Sequence, residues 1–136
     1  DLKDFVGRHG GIVCTSSNAQ GVLNWAFERA GKNGAVLFFP DQHLGRNTGN
    51  AMGISLDLMP TWTPGIGAMG ELKGSRIILW HGFCSVHKRF TQAQIEEFRV
   101  RHPEGIVVVH PECPIETVEA SDANGSTQYI RNFVGQ

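Results

Sequence analysis

The sequence has no excess of charge of either sign, no long apolar run and few cysteines. Its 136 residues carry 12 Lys plus Arg against 13 Asp plus Glu, a formal net charge of -1, so a broad nucleic-acid-binding face is not expected. The longest apolar run, Ala35–Phe39, and shorter ones such as Ile106–Val109, fall far short of the roughly 20 residues that cross a bilayer. No membrane span is expected. Three cysteines, Cys14, Cys84 and Cys113, are too few and too scattered for the disulfide framework of a small secreted domain. A reducing, cytoplasmic compartment suits them better. The sequence also lacks an initiator Met: it starts at Asp1, with Leu2, Phe5 and Val6 already in helical spacing, and is read as an internal segment of a longer protein.

What is present is enough apolar residue, 40%, to build one ordinary core. Gly11–Thr15 is short and β-branched and reads as a buried strand. Ser16-Ser17-Asn18 supplies cap chemistry for a helix over Ala19–Ala30, stopped by Gly31. Ala35–Phe39 is a second strand, ended by Pro40 and followed by the polar stretch Asp41-Gln42-His43. A third strand is placed near Leu58–Trp62, then a Gly/Pro-rich loop over Thr63–Gly74 and a strand over Arg76–Trp80. Thr91 and Gln94 have capping-box spacing, with Phe90 and Ile95 as a hydrophobic staple, so a helix starts at Thr91 and runs to about His102. Ile106–Val109 reads as a strand, Ile115–Ala120 as a short helix, Asp122–Asn124 as a strand end and Gln128–Val134 as a last helix.

Strands apolar throughout that alternate with helices point to the α/β class, with a parallel sheet covered by helices on both faces. Such folds bind ligands outside the carboxyl ends of their strands. Those ends here are Ser16-Ser17, Asp41-Gln42-His43, His81–Cys84, His110–Cys113 and Ser126-Thr127. A faint repeat links Gly11-Ile12-Val13 with Gly105-Ile106-Val107, and Ser16 keeps the same offset from His110.

Several of these residues carry chemistry. Cys84-x2-His87 and His110-x2-Cys113 have the spacing of a structural zinc site, although Cys14 and Cys113 also read as small buried hydrophobes. Cys84 differs from them, lying in a loop beyond a strand end where a thiolate can reach a metal. Ser16, Ser17, Ser126 and Thr127 precede helices, whose N–H groups and dipole attract a phosphate or dicarboxylate; plain capping is the alternative. Glu112 is a candidate general acid or base with His110 beside it to orient substrate, or else a solvated loop carboxylate. His9 and His102 stand near helix ends, and Trp25, Trp62 and Trp80 are read as packing.

With these residues in hand, the chain closely resembles the quinolinate synthase family, iron-sulfur enzymes of bacterial NAD biosynthesis. The resemblance rests on Cys14-Thr15-Ser16-Ser17-Asn18-Ala19, Phe39-Pro40-Asp41-Gln42-His43-Leu44-Gly45, Trp80-His81-Gly82-Phe83-Cys84-Ser85-Val86-His87, His110-Pro111-Glu112-Cys113 and Gly125-Ser126-Thr127, in that order. It implies three similar α/β domains about a pseudo-threefold axis, each giving one Cys to a [4Fe-4S] cluster whose fourth iron position stays open as a Lewis acid. It also implies condensation of iminoaspartate with dihydroxyacetone phosphate to quinolinate, with loss of phosphate and two waters. An aspartate oxidase or dehydrogenase would supply the unstable iminoaspartate.

By motif, Cys84 resembles the cluster ligand of the middle domain, whereas Cys14 and Cys113 do not occupy ligand positions. His110 and Glu112 resemble the substrate-contacting histidine and the catalytic glutamate. Ser16 resembles a substrate-anchoring serine, Ser126 and Thr127 the hydroxyls that hold phosphate or carboxylate, and His87 takes a supporting role. The family's first and last cluster cysteines and its tyrosine-containing motifs are missing, so the resemblance implies a middle domain over 1–87 joined to the first part of a third over 88–136, inactive alone. The stretch Thr63–Gly74 looks like a subfamily insertion. Two rival readings follow from the residues: a zinc-stabilised structural module using Cys84, His87, His110 and Cys113, and a cluster-free domain binding phosphate esters.

Overall fold

The computed structural model describes residues 1–135, which form helices around two small sheets. Helix α1 spans Leu2–Arg8 and α2 spans Ala19–Ala30, followed by strand β1, Val36–Phe38, and helix α3, Gln42–Ala51. A 3-10 turn at Leu56–Leu58 leads into β2, Thr61–Thr63, β3, Gly67–Met69, and β4, Ile77–Trp80. After a second 3-10 turn, His87–Arg89, come α4, Gln92–Arg101, β5, Val108–Val109, α5, Ile115–Ala120, β6, Ala123–Asn124, and α6, Thr127–Val134.

The first sheet has the order β1-β4-β2-β3. β1 and β2 both run parallel to β4, and only β3 is antiparallel, folding back on β2. β5 and β6 pair in parallel as a separate ladder. The protein is thus an α/β fold with a mostly parallel sheet. Alternation along β4 sends Ile77 and Leu79, both 0% exposed, to one face, where they meet Phe38, Leu23 of α2 and Leu44 of α3. Burial of that apolar face is the main source of stability. The opposite face is covered more thinly: Trp62 and Trp80, paired in register, stand 5.4 Å apart, Trp80 continues to Phe39, and Phe5 of α1 closes the row.

Four expectations need correction. Gly11–Thr15 forms no strand, because no strand among the described residues offers it a ladder; Ile12 and Val13 are exposed. The third strand shifts to Thr61–Thr63, its expected start being taken by the 3-10 turn. Thr63–Gly74 is a hairpin return rather than a bare loop, since Thr61–Thr63 pairs with Gly67–Met69. Asp41-Gln42-His43 opens a ten-residue helix, α3, that apolar periodicity did not announce.

Other boundaries hold closely. α2 and α5 span the expected residues, Gly31 follows α2 at φ 72, and both halves of the Thr91–Gln94 capping box are formed. The strand expected over Ile106–Val109 shrinks to its last two residues, with Asp122 taking the ladder's place: its Oδ2 accepts from Val107 N at 2.7 Å.

Candidate functional site

The carboxyl ends of β1, β4, β5 and β6 carry most of the chemistry-bearing side chains, because each parallel strand feeds a loop at the same edge of its sheet. Asp41 follows β1 and serves two elements at once. Its Oδ1 accepts from Leu44 N at 2.8 Å and caps α3, while its Oδ2 accepts from Cys84 N at 2.9 Å. Gln42 N adds a 2.8 Å bond to Gly82 O. The loop that presents Cys84 is thereby tied to the start of α3. Gly82 is required there, since a Cβ would strike the carbonyl oxygen of Pro40.

A second loop, His110–Cys113, leaves β5. Asn47 of α3, 6% exposed, holds it by donating to Pro111 O and Cys113 O, both at 2.8 Å. Glu112 lies between those two carbonyls. Its carboxyl Oε2 is in hydrogen-bond contact with His87 Nδ1 at 3.0 Å, both side chains being about three-quarters buried. His87 in turn stacks on His110, ring centroids 4.4 Å apart and planes 8° from parallel.

The tautomer of His110 follows from its partners. Glu112 N donates to His110 Nδ1 at 3.3 Å, so that nitrogen is the acceptor, and Nε2 carries the proton and donates to Ser16 Oγ at 3.1 Å. Burial, reinforced by the neighbouring His87, lowers the His110 pKa below the usual histidine value against the opposing pull of Glu112 and Asp41. The ring is neutral at pH 7, and the Ser16 hydroxyl proton is left free to donate elsewhere.

Four of the expected site residues, Ser16, Cys84, His110 and Glu112, therefore come together with His87 as a fifth. Ser126 and Thr127 follow β6, whose register beside β5 puts them at the same end as His110; Gly125 N donates to Val109 O at 3.1 Å. Ser126 Oγ accepts from Tyr129 N at 3.3 Å as the cap of α6, and Thr127 is exposed. Among the described residues, no hydrogen bond links either one to His110 or Glu112.

Cys84, His87 and Glu112 also bring their ligand atoms within 4.8 Å of one another. This changes the zinc reading, which grouped Cys84 and His87 with His110 and Cys113. Cys113 is 1% exposed, and burial pushes its thiol pKa up, while His110 is engaged with Ser16. Cys14 rests against the core with its thiol likewise raised by burial. Asp41, which the motifs include without assigning it a role, and Asn47, which they do not include, are the two residues that position the site's loops. An Asp three residues before the first apolar helix position is a cap signal that could have revealed Asp41. No local signal marks Asn47.

No helix among the described residues is long and apolar enough to cross a membrane. The family model described as "NadA: Quinolinate synthetase A protein" matches residues 1–136. The chain is 59% identical to the quinolinate synthase of Corynebacterium glutamicum over 133 residues, covering 95% of this chain and 33% of that relative. It is 53% identical to that of Rhodopirellula baltica over 134 residues, covering 95% and 33%. With the Bacillus subtilis quinolinate synthase it shares 47% identity over 139 aligned positions, covering 100% and 37%. The chain spans about a third of the length of these curated relatives. With its whole length matched, this chain belongs to the Quinolinate synthetase A protein family.

Proposed function

We propose that the chain is a substrate-handling part of a quinolinate synthase, which condenses iminoaspartate with dihydroxyacetone phosphate to quinolinate and releases phosphate and two waters. The observation that carries this reading is the continuous array Ser16–His110–Glu112–His87, which joins the turn before α2 to the loops beyond β4 and β5, beside Cys84. Ser16, its oxygen occupied by the His110 N–H, donates its own proton to a substrate carboxylate. Neutral His110 keeps that hydroxyl oriented and, being uncharged, does not lock the substrate as an ion pair. Glu112 has one oxygen held by His87, and the other, which has no hydrogen-bond partner among the described residues, takes and returns substrate protons. Ser126 and Thr127, at the start of α6, hold the phosphate or carboxylate of the incoming substrate.

Cys84 fits a cofactor role. It lies in the loop beyond β4, which Asp41 pins, and burial pushes the thiols of Cys14 and Cys113 up. In this reading Cys84 gives one thiolate to a [4Fe-4S] cluster, with the other two cysteines outside this chain. The bound cluster supplies a Lewis acid for substrate oxygen atoms. Division into a middle domain over 1–87 and the first part of a third over 88–136 is supported by the two separate sheets. Supply of iminoaspartate by an aspartate oxidase or dehydrogenase, and a reducing cytoplasmic setting for three free thiols, belong to the same reading.

Glu112→Gln in the full-length enzyme is the test. Gln keeps the size but loses the base, so turnover should fall by roughly a hundredfold or more. The cluster's visible absorption should persist. Near-normal turnover would assign the proton transfers to another residue.

A further inference from the structure

We propose that Cys84, His87 and Glu112 form a three-ligand site for one divalent transition ion of the zinc class, and that this ion and an iron-sulfur cluster exclude each other. The second half rests on the reading of Cys84 as a cluster ligand; the first stands on geometry alone. Tetrahedral zinc, with about 2.0–2.1 Å to nitrogen or oxygen and about 2.3 Å to sulfur, sets its ligand atoms roughly 3.3 to 3.6 Å apart. The three ligand atoms already lie within 4.8 Å of one another, and the proton shared between His87 Nδ1 and Glu112 Oε2, 3.0 Å apart, leaves to solvent as the ion binds. The separations therefore need to shrink by no more than about 1.5 Å to reach zinc geometry.

The site is also preorganised. Asp41 fixes the Cys84 backbone, Asn47 fixes the backbone on both sides of Glu112, and the stack on His110 fixes the plane of the His87 ring. A thiolate and a carboxylate together carry two negative charges, and the neutral imidazole adds none. A divalent ion balances this charge in a half-buried setting where a lone anion pair is costly. With three protein ligands, the fourth position remains for water, as in open zinc sites. Bound there, the ion takes up the thiolate that a cluster would need and the carboxylate that would move protons.

Cobalt(II) is the spectroscopic probe, titrated anaerobically into the chain. One equivalent should give a thiolate-to-cobalt charge-transfer band with visible ligand-field bands. Cys84→Ser should abolish the charge-transfer band, and His87→Ala or Glu112→Gln should each weaken binding by at least about tenfold. Cys113→Ala and Cys14→Ala should leave the spectrum unchanged. X-ray absorption of the unmutated zinc-loaded chain gives a check that needs no variant: one sulfur at about 2.3 Å and two or three lighter ligands at about 2.0–2.1 Å. Two sulfurs, or a spectrum lost in Cys113→Ala, would overturn the site in favour of the four-residue motif, and absence of saturable binding would overturn it outright. In cluster-free full-length enzyme, one equivalent of Zn2+ should block iron and sulfide uptake until a chelator removes it. Undiminished uptake with zinc still bound would end the claim of exclusion. If cobalt fails to bind while Glu112→Gln still abolishes turnover, only this inference falls.

Discussion

Asn47 ties α3 to the loop that carries Glu112, using one amide nitrogen for two carbonyls. Its own Oδ1 is buried and has no hydrogen-bond partner among the described residues, a cost that the two donated bonds offset. Asn47→Ala removes the donor and leaves the Pro111 and Cys113 carbonyl oxygens facing a small void. Each buried orphan acceptor costs about 1–3 kcal/mol, and the expected loss of folding stability is about 2–4 kcal/mol, read from the urea midpoint of the chain. A loss under about 0.5 kcal/mol, the range of ordinary surface changes, would mean that other contacts hold the loop. Short motifs made Cys84, His87, His110 and Glu112 legible in the sequence, because their spacing alone suggests shared chemistry. Asn47 was not legible: its partners lie 64 and 66 residues away, and an Asn among Gly, Thr and Arg looks like any polar helix position.

At the scale of the element, α3 explains why one helix escaped the sequence while others did not. α4 advertises itself through a capping box, and α2 through its apolar face and its terminal Gly. The α3 sequence, Gln42–Ala51, holds two glycines, two asparagines and a threonine, all weak helix formers. It folds because Asp41 caps it and because the glycines let it approach the sheet. A Cβ at Gly45 would stand 2.7 Å from both Leu79 Cδ2 and Phe38 Cδ1 and 2.9 Å from Phe38 Cγ. At Gly49 the obstacles are Met59 Sδ at 2.5 Å and Ile77 Cδ1 at 2.8 Å. Gly→Ala within a helix ordinarily stabilises by about 1 kcal/mol, but here the sign should reverse. Gly45→Ala presses on a buried aromatic ring and should destabilise by about 1–3 kcal/mol. Gly49→Ala meets the ends of flexible side chains and should cost less. Thermal denaturation of the two variants side by side reads the order, and a more stable Gly45→Ala would show that helix propensity, not close packing, limits this element.

For the whole molecule, the α/β class was legible because apolar strands alternated with helices, and the placement of the site followed from where parallel strands end. Pairing was less legible. Gly11–Thr15 has strand composition but no ladder, since β-propensity expresses itself only against a partner strand. Thr63–Gly74, dense in Gly, concealed a short return strand. The same distribution of residues through the fold decides what the chain can hold by itself. Cys14 rests against the core and Cys113 is buried at the end of the His110–Cys113 loop, and burial pushes both thiols up, away from the thiolate that binds iron. Cys84 lies beyond the end of β4 in a loop tied to Asp41, and in the proposed reading it is this chain's one cluster ligand. One thiolate cannot retain a [4Fe-4S] cluster, whose ordinary ligation uses several. Anaerobic reconstitution of the 136-residue chain should therefore yield well under one cluster per chain by iron and sulfide counting, and no quinolinate. A stoichiometric cluster within a monomer would require Cys14 or Cys113 to leave the core. That rearrangement would show as loss of the folded chain's near-ultraviolet circular dichroism, and its absence alongside a full cluster would refute the assignment of Cys84 as the single ligand here.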